Sequence, residues 1–277
     1  MKKKVAILLA TYNSTNFLDE LLESIIIQTY SNWILYIRDD CSNDETLSIL
    51  NKWIKEYPEQ IVIINNNNKS LGSYHSFVHL LREVDSDYYM FCDHDDVWLK
   101  DKIEKSMICF GELEKKYANM PILVHTDMVV VNEKLEIIHS SFWNYSKLLP
   151  QHNSFKELVA CNCANGCTML FNKMARSIAL DNVDFCLMHD VLIAFTVAAK
   201  GGVIYAINTP TVLYRQHGNN VLGASHVNVY FWISKLRKLP YLVKKNYHTW
   251  KMACQIKKYT LFEYLYYKFK IFVLRLL

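Results

Sequence analysis

Glycine and proline are scarce in this chain, seven and five residues among 277. No internal repeat or low-complexity tract is visible, and half of the residues are apolar. Collagen-like, linker-like and disordered chains are thereby excluded. An uninterrupted apolar run of about 18 residues is also missing, so no membrane-spanning helix is expected. The opening Met1-Lys2-Lys3-Lys4 has the charge of a secretory leader. Val5 to Ala10 is too short for a leader's apolar region, however, and runs into polar Thr11-Tyr12-Asn13. Cysteines in a metal-binding pattern are lacking too: Cys161, Cys163 and Cys167 offer no obvious fourth ligand for zinc and read as structural. The eight cysteines are scattered in mostly apolar surroundings, the pattern expected of reduced thiols in a cytoplasmic protein. Acids are nearly missing from one end. Residues 229–277 hold eleven Lys or Arg and one acid, Glu263, whereas the rest of the chain carries a balance of −6. An acidic body with a basic, aromatic tail points to an anionic surface rather than to nucleic acid.

What is present is a regular alternation. Val5–Leu9 reads as a buried strand, followed by a helix capped by Asn16 with Phe17, Leu18, Leu21, Leu22, Ile25 and Ile26 on one face. Trp33–Ile37 is the next strand, and Ser42 with Glu45 forms a capping box for a helix ended by Pro58. Ile61–Ile64 is a third strand. A polar loop, Asn65 to Gly72, leads to a helix through Val84 and then to the strand Tyr88–Cys92. Further on, Ile122–Val131 is a strand that forms a hairpin with Glu136–Ile138, and residues 139–165 are a loop-rich crossing. Thr168–Phe171 is a strand with a short helix from Asn172, and Asp190 opens a helix that stops at Gly201-Gly202. Val203–Ile207 and Thr211–Tyr214 are two further strands. This order predicts an α/β fold with a mostly parallel sheet.

In such sheets ligands bind beyond the carboxyl ends of the strands. Thr11-Tyr12-Asn13, Asp39-Asp40 and Asp93-His94-Asp95-Asp96 all fall there. Three carboxylates within four residues repel one another unless a cation holds them, and hard oxygen donors suit Mg²⁺ or Mn²⁺. The bland alternative is an acidic turn before the helix that starts near Lys100 or Asp101.

These three motifs, at this spacing, resemble a family 2 glycosyltransferase of the GT-A fold: a Rossmann-like nucleotide-binding sheet flanked by helices, here with a C-terminal helical extension. The resemblance covers roughly residues 4–220. Asp93-His94-Asp95-Asp96-Val97-Trp98 and Tyr214-Arg215-Gln216-His217-Gly218-Asn219-Asn220 are most similar to a bacterial rhamnosyltransferase-like branch, although that branch more often has Gln at His94 and Gly at Cys41. The resemblance implies inverting transfer of a sugar, rhamnose in that branch, from a UDP- or dTDP-linked donor to a glycan or lipid-linked acceptor of surface polysaccharide synthesis. By similarity Asp96 ligates the metal, with Asp93 or Asp95 as its partner, and His217 sits where a further metal or diphosphate contact falls. Asp95 faces the ribose or a metal-bound water. Thr11 and Tyr12 line the nucleotide pocket. Asp40 accepts from the base imide, with Asp39 competing for that role. Gly72 or Lys69 approaches the phosphates, and Arg215 offsets diphosphate charge. Asp190 is the implied catalytic base, its plain alternative being a helix cap, and His189 an implied acceptor contact.

The catalytic domain is expected over 1–225 and a helical tail over 226–277. In the tail Lys244, Lys251 and Lys258 recur every seven residues among Tyr230, Phe231, Trp232, Tyr241, Trp250, Phe262, Tyr264, Tyr266, Tyr267 and Phe269. A basic amphipathic helix resting on an anionic membrane fits this pattern, and so does a helical layer packed on the catalytic domain. That membrane would be the inner face of the plasma membrane. Two other classes compete: a metal-dependent phosphohydrolase using Asp93 or Asp95, and a non-catalytic nucleotide-sugar binder.

Overall fold

A computed structural model describes residues 3–64, 69–186, 188–218, 223–227 and 239–276. Asn65–Asn68, Asn219, Asn220, Tyr230, Phe231 and Trp232 lie outside these residues.

The strands are β1 (Val5–Thr11), β2 (Trp33–Asp39), β3 (Ile61–Ile63), β4 (Tyr88–Cys92), β5 (Val97–Trp98), β6 (Ile122–Val131), β7 (Ile137–His139), β8 (Met169–Asn172) and β9 (Val203–Arg215). They form one sheet in the order β3-β2-β1-β4-β8-β6-β9-β5, with β7 paired to β6. The pairs β3–β2, β2–β1, β1–β4 and β6–β9 are parallel. β8 runs antiparallel to both β4 and β6, so the sheet is mixed rather than mostly parallel. The loop-rich crossing before β8 contains two short helices, α5 (Phe142–Tyr145) and α6 (Phe155–Ala160). The two strands expected between Val203 and Tyr214 are one long strand, β9, whose register against β6 shifts near Asp127.

Period-two alternation divides the core into two layers. Val5, Ile7 and Leu9 of β1, with Met90 of β4, face one layer; Ala6, Leu8 and Phe91 face the other. The first layer is covered by α1 (Leu18–Ile26), α2 (Thr46–Glu56) and α4 (Lys102–Lys116). The second is covered by α3 (Ser73–Glu83), α6, α7 (Lys173–Leu180) and α8 (His189–Ala199). Two tail helices, α9 (Leu239–Ile256) and α10 (Leu261–Leu276), extend this second layer through buried Ala253, Tyr259 and Tyr264.

Two expected caps are absent. Phe17 occupies the cap position of α1, with no side-chain cap bond. Ser42 does not cap α2; its hydroxyl donates to Asp39 Oδ1 at 2.6 Å, while Asp44 Oδ1 accepts from the Thr46 amide at 3.0 Å. Asn172 does cap α7, accepting from the Ala175 amide at 3.0 Å.

Candidate active site

Parallel strands deliver their chemistry at one edge. β1 and β2 end side by side, with Thr11 paired to Asp39. The Thr11 hydroxyl donates to Asp39 Oδ1 at 2.9 Å, and the Asn13 amide donates to the Ser42 hydroxyl at 2.9 Å. Asn13 and Cys41 both take left-handed backbone, φ 48° and 66°. A Cβ is disfavoured there, which gives a physical reason for a glycine preference at position 41. Thr11 is buried and Tyr12 is half exposed beside it.

Asp40 turns the other way. Its Oδ1 accepts from the Leu71 amide (2.7 Å), Arg38 Nη1 (2.5 Å) and the Ser76 hydroxyl (3.1 Å). Its Oδ2 accepts from the Gly72 amide and the Ser70 hydroxyl, both at 2.8 Å. Arg38 completes this clasp by donating to the Lys69 carbonyl at 2.7 Å. Burial alone would raise the Asp40 carboxyl, but these donors hold it far below the usual aspartate range. Five donors use the acceptor capacity of a carboxylate. Asp40 is therefore the anchor of the segment 69–72, a correction to its expected role as acceptor for a base imide. Gly72, φ 77°, is the turn into α3 and gives its amide to this anchor.

The acidic cluster follows β4. Asp96 is fully buried, and its Oδ1 accepts from the Arg215 amide at 3.1 Å. Its Oδ2 is buried with no hydrogen-bond partner. One donor atom each from Asp93, Asp96 and Cys167 lie within 4.8 Å of one another. Burial, and then the charge of Asp95, pushes both Asp93 and Asp96 upward, Asp93 to about 7. Two carboxyls that resist ionisation together, Asp96 fully buried with an orphaned oxygen and Asp93 partly buried beside it, fit a divalent cation.

Sequence reasoning missed Cys167, because the chain sets it 71 residues beyond Asp96. Lys102 was missed as well. It is fully buried on α4, donates to the Cys167 carbonyl at 2.8 Å and lies 4.7 Å from the Trp98 ring centroid. Burial brings its ammonium down to about 8, against the pull of the neighbouring acids and thiols.

Two expected contacts are reassigned. Arg215 is 1% exposed, and its guanidinium donates to the Asp95 carbonyl (2.8 Å), the Glu133 carbonyl (2.5 Å) and Glu20. It braces the cluster from behind and is not poised to meet a diphosphate. His217 Nε2 lies 2.8 Å from Asp95 Oδ2, with its ring 5.0 Å from that of Phe17. It steadies Asp95 and does not join the Asp93–Asp96–Cys167 group. Phe17 and Glu20 of α1, outside every motif, thus support the site through His217 and Arg215.

Asp190 sits in the first turn of α8, buried, its Oδ1 accepting from the Val191 amide at 2.7 Å. Burial raises its carboxyl to about 6. It is near enough to Asp93 that its charge contributes to the rise there. His189 is part-buried, its Nε2 enclosed without a hydrogen-bond partner. Its ring lies between Phe77 (3.9 Å) and Phe91 (4.6 Å), and burial alone lowers it to about 3. Gly166 permits this packing: a Cβ there would stand 2.4 Å from His189 Nε2.

A mixed sheet with nucleotide-type turns after β1 and β2, and an acidic cluster after β4, defines a GT-A glycosyltransferase. The chain belongs to the family described as Glycosyl transferase family 2, which it matches over residues 6–178. It is 30% identical over 230 residues to the dTDP-rhamnosyl transferase RfbG of Shigella flexneri, covering 78% of this chain and 74% of that one. It is 29% identical to the UDP-Glc:alpha-D-GlcNAc-diphosphoundecaprenol beta-1,3-glucosyltransferase WfaP of Escherichia coli, over 78% of this chain and 79% of that one. The fold is similar to that of the mannosyltransferase PcManGT of Pyrobaculum calidifontis in complex with GDP-Man and Mn²⁺. That likeness has TM-score 0.56 and 14% identity, over 99% of this chain and 74% of that one.

Proposed function

We propose that this glycosyltransferase is metal-dependent and inverting, and moves a sugar from a UDP- or dTDP-linked donor to a hydroxyl of a glycan or lipid-linked glycan in surface polysaccharide synthesis. The observation that carries the reading is the orphaned, buried Asp96 Oδ2 beside Asp93 and Cys167. Asp93, Asp96 and Cys167 would hold Mn²⁺ or Mg²⁺. Bound there, the ion would neutralise the charge that builds on the departing diphosphate. The Shigella relative's dTDP-rhamnosyl activity supports rhamnose and thymidine, and the Escherichia relative's substrate supports a diphosphate-lipid acceptor. The Mn²⁺ bound by the Pyrobaculum enzyme supports the metal.

The chain's own residues supply the rest. Thr11 and Tyr12 flank the nucleotide. Asp95, oriented by His217, faces the ribose or a metal-bound water. Asp190 takes the proton of the acceptor hydroxyl on the face opposite the leaving group, and a base raised by burial is matched to that task. Neither competing class gains from the geometry. A phosphohydrolase would carry its Asp-x-Asp pair after the first strand, where β1 runs instead into Thr11-Tyr12-Asn13. A silent binder would have no use for Asp190.

Thermal unfolding with UDP-, dTDP- and GDP-sugars, each with and without Mn²⁺, tests the reading. A uridine or thymidine sugar should raise the midpoint only with metal, and Asp96→Asn should erase the shift. Stabilisation that ignores metal, or that survives Asp96→Asn, would remove the assigned site.

A further inference from the structure

The exposed face of α10 is inverted relative to a soluble helix. Its residues in the exposed class are Leu261, Phe262, Leu265, Tyr266, Phe269, Phe272, Val273 and Leu276, all apolar or aromatic. Phe262 is 81% exposed and Phe269 67%. The spacing of three and four residues keeps them on one stripe, roughly 24 Å long at 1.5 Å per residue.

The opposite face is already occupied. Tyr264 and Ile271 are buried, Glu263 pairs with Lys156 at 2.5 Å, and Lys270 pairs with Glu157 at 3.0 Å. Arg275 donates to the carbonyls of Ser146 (2.8 Å) and Lys147 (2.9 Å). Glu263, Lys270 and Arg275 therefore reach toward the body beside Tyr264 and Ile271, and what the helix presents outward is apolar or aromatic. That fixes which side of the helix is offered. Monomers rarely leave a contiguous apolar stripe of this kind uncovered.

Charge selects the occupant. α9 carries Lys244, Lys245 and Lys251, all exposed, and contains no acid. Exposed Lys258 stands just before α10, while the neighbouring Lys257 donates to the Ala199 carbonyl at 3.2 Å. A second copy would bring the same lysines against these, whereas an anionic lipid surface attracts them. No described helix is long and apolar enough to cross a membrane, so contact in the interface plane is the mode available.

We propose that α10 is an interfacial membrane-docking helix, its Phe262–Leu276 stripe seated among the acyl chains and headgroups of an anionic lipid surface, with the lysines of α9 and the α9–α10 junction as its electrostatic rim. The inference rests on the proposed lipid-linked acceptor for its purpose, but not for its geometry.

Co-sedimentation of the whole chain with phosphatidylglycerol-containing and with purely phosphatidylcholine vesicles tests it. Binding should favour the anionic vesicles and weaken with salt. Phe262→Glu/Phe269→Glu should lower it by about tenfold or more, with the metal-dependent thermal shift by UDP or dTDP unchanged. A Phe269→Trp variant should shift its fluorescence to the blue on anionic vesicles, which reports insertion even if the glutamates disturb packing. Equal binding by the glutamate variant, equal binding to neutral vesicles, or no blue shift would overturn the proposal. So would loss of a dimer on Phe262→Glu/Phe269→Glu without any vesicle binding. Loss of the nucleotide shift in the unaltered chain would instead count against the proposed function alone.

Discussion

Asp190 pays for its position in stability. Its ordinary value is 3.8, and burial raises it to about 6. The folded state therefore holds this proton more tightly than the unfolded chain does. From about 4 up to about 6 the group withdraws stability as it loses that proton, and above about 6 the cost is complete. At neutral pH that cost is on the order of 3 kcal/mol. Asp190→Asn should then stabilise the fold at pH 8 in chemical denaturation, while lowering transfer by about 10²- to 10⁴-fold, the usual share of a general base. As the proposed base, Asp190 should make kcat/KM of the unaltered enzyme fall as pH drops through about 6. A flat profile across that window would show that another group takes the proton. Lys102 makes the complementary case. Without metal it is a buried cation beside two acids; with metal it is a like charge beside a dication. Lys102→Met should change the midpoint of the metal-free protein little, since the burial cost that lowers its ammonium to about 8 and the charged hydrogen bond to the Cys167 carbonyl oppose each other. Mn²⁺ should then raise the midpoint of the variant more than that of the unaltered chain. Thermal unfolding with and without Mn²⁺ reads both effects.

At the scale of elements, the clasp between β2 and the segment entering α3 is the feature on which the nucleotide edge depends. Asp40 and Arg38 are both buried, and their pair is sealed by the Leu71 and Gly72 amides. Removing one member of such a pair strands the other, at about 3–5 kcal/mol. Asp40→Ala should cost that much in denaturant titration and free Gly72 to move. The pH dependence has the opposite sign from that of Asp190. Asp40 is held below its ordinary value, so its stabilisation is full above the usual aspartate range and fades as pH falls below it. The strand ends themselves were legible: β4 ends at Cys92 as the apolar run indicated, and Thr11, Asp39 and Asp93–Asp96 fall at the sheet edge. What was not legible is direction. Asp39 and Asp40 are adjacent acids at a strand end, and only the pleat decides that one turns toward Thr11 and the other toward Ser70 and Leu71. Arg215 and His217 were found by motif, but what they touch depends on α1, about 195 residues earlier in the chain. Cys167 belonged to a pattern read as structural, and its approach to Asp96 exists only after β8 inserts beside β4.

For the whole molecule the tail and the catalytic body are joined more closely than a boundary near residue 225 suggests. Tyr259 and Tyr264 enter the same core as Phe155, Leu158 and Phe195, and the Tyr259 hydroxyl donates to the Lys156 carbonyl at 3.2 Å. The Lys156–Glu263 and Glu157–Lys270 pairs lie at the surface and contribute little. The apolar side chains dominate instead: Tyr259, Tyr264, Ala253 and Ile271 are all buried, and a fully buried large side chain is worth about 1.5–3 kcal/mol. Their loss would outweigh the surface pairs several times over. The segment they cover is α6, which runs within seven residues to Cys167. Truncation before Leu239 should thus lower the calorimetric midpoint of the whole protein in a single transition, and raise the Mn²⁺ concentration needed to stabilise what remains. Phe262→Glu/Phe269→Glu, confined to the outer stripe, should do neither. If the truncated chain keeps the full midpoint and metal response, the tail is an independent appendage, and the coupling between docking helix and metal site through α6 fails. If both drop together, one cooperative body carries the transferase site on one side and the lipid-facing helix on another.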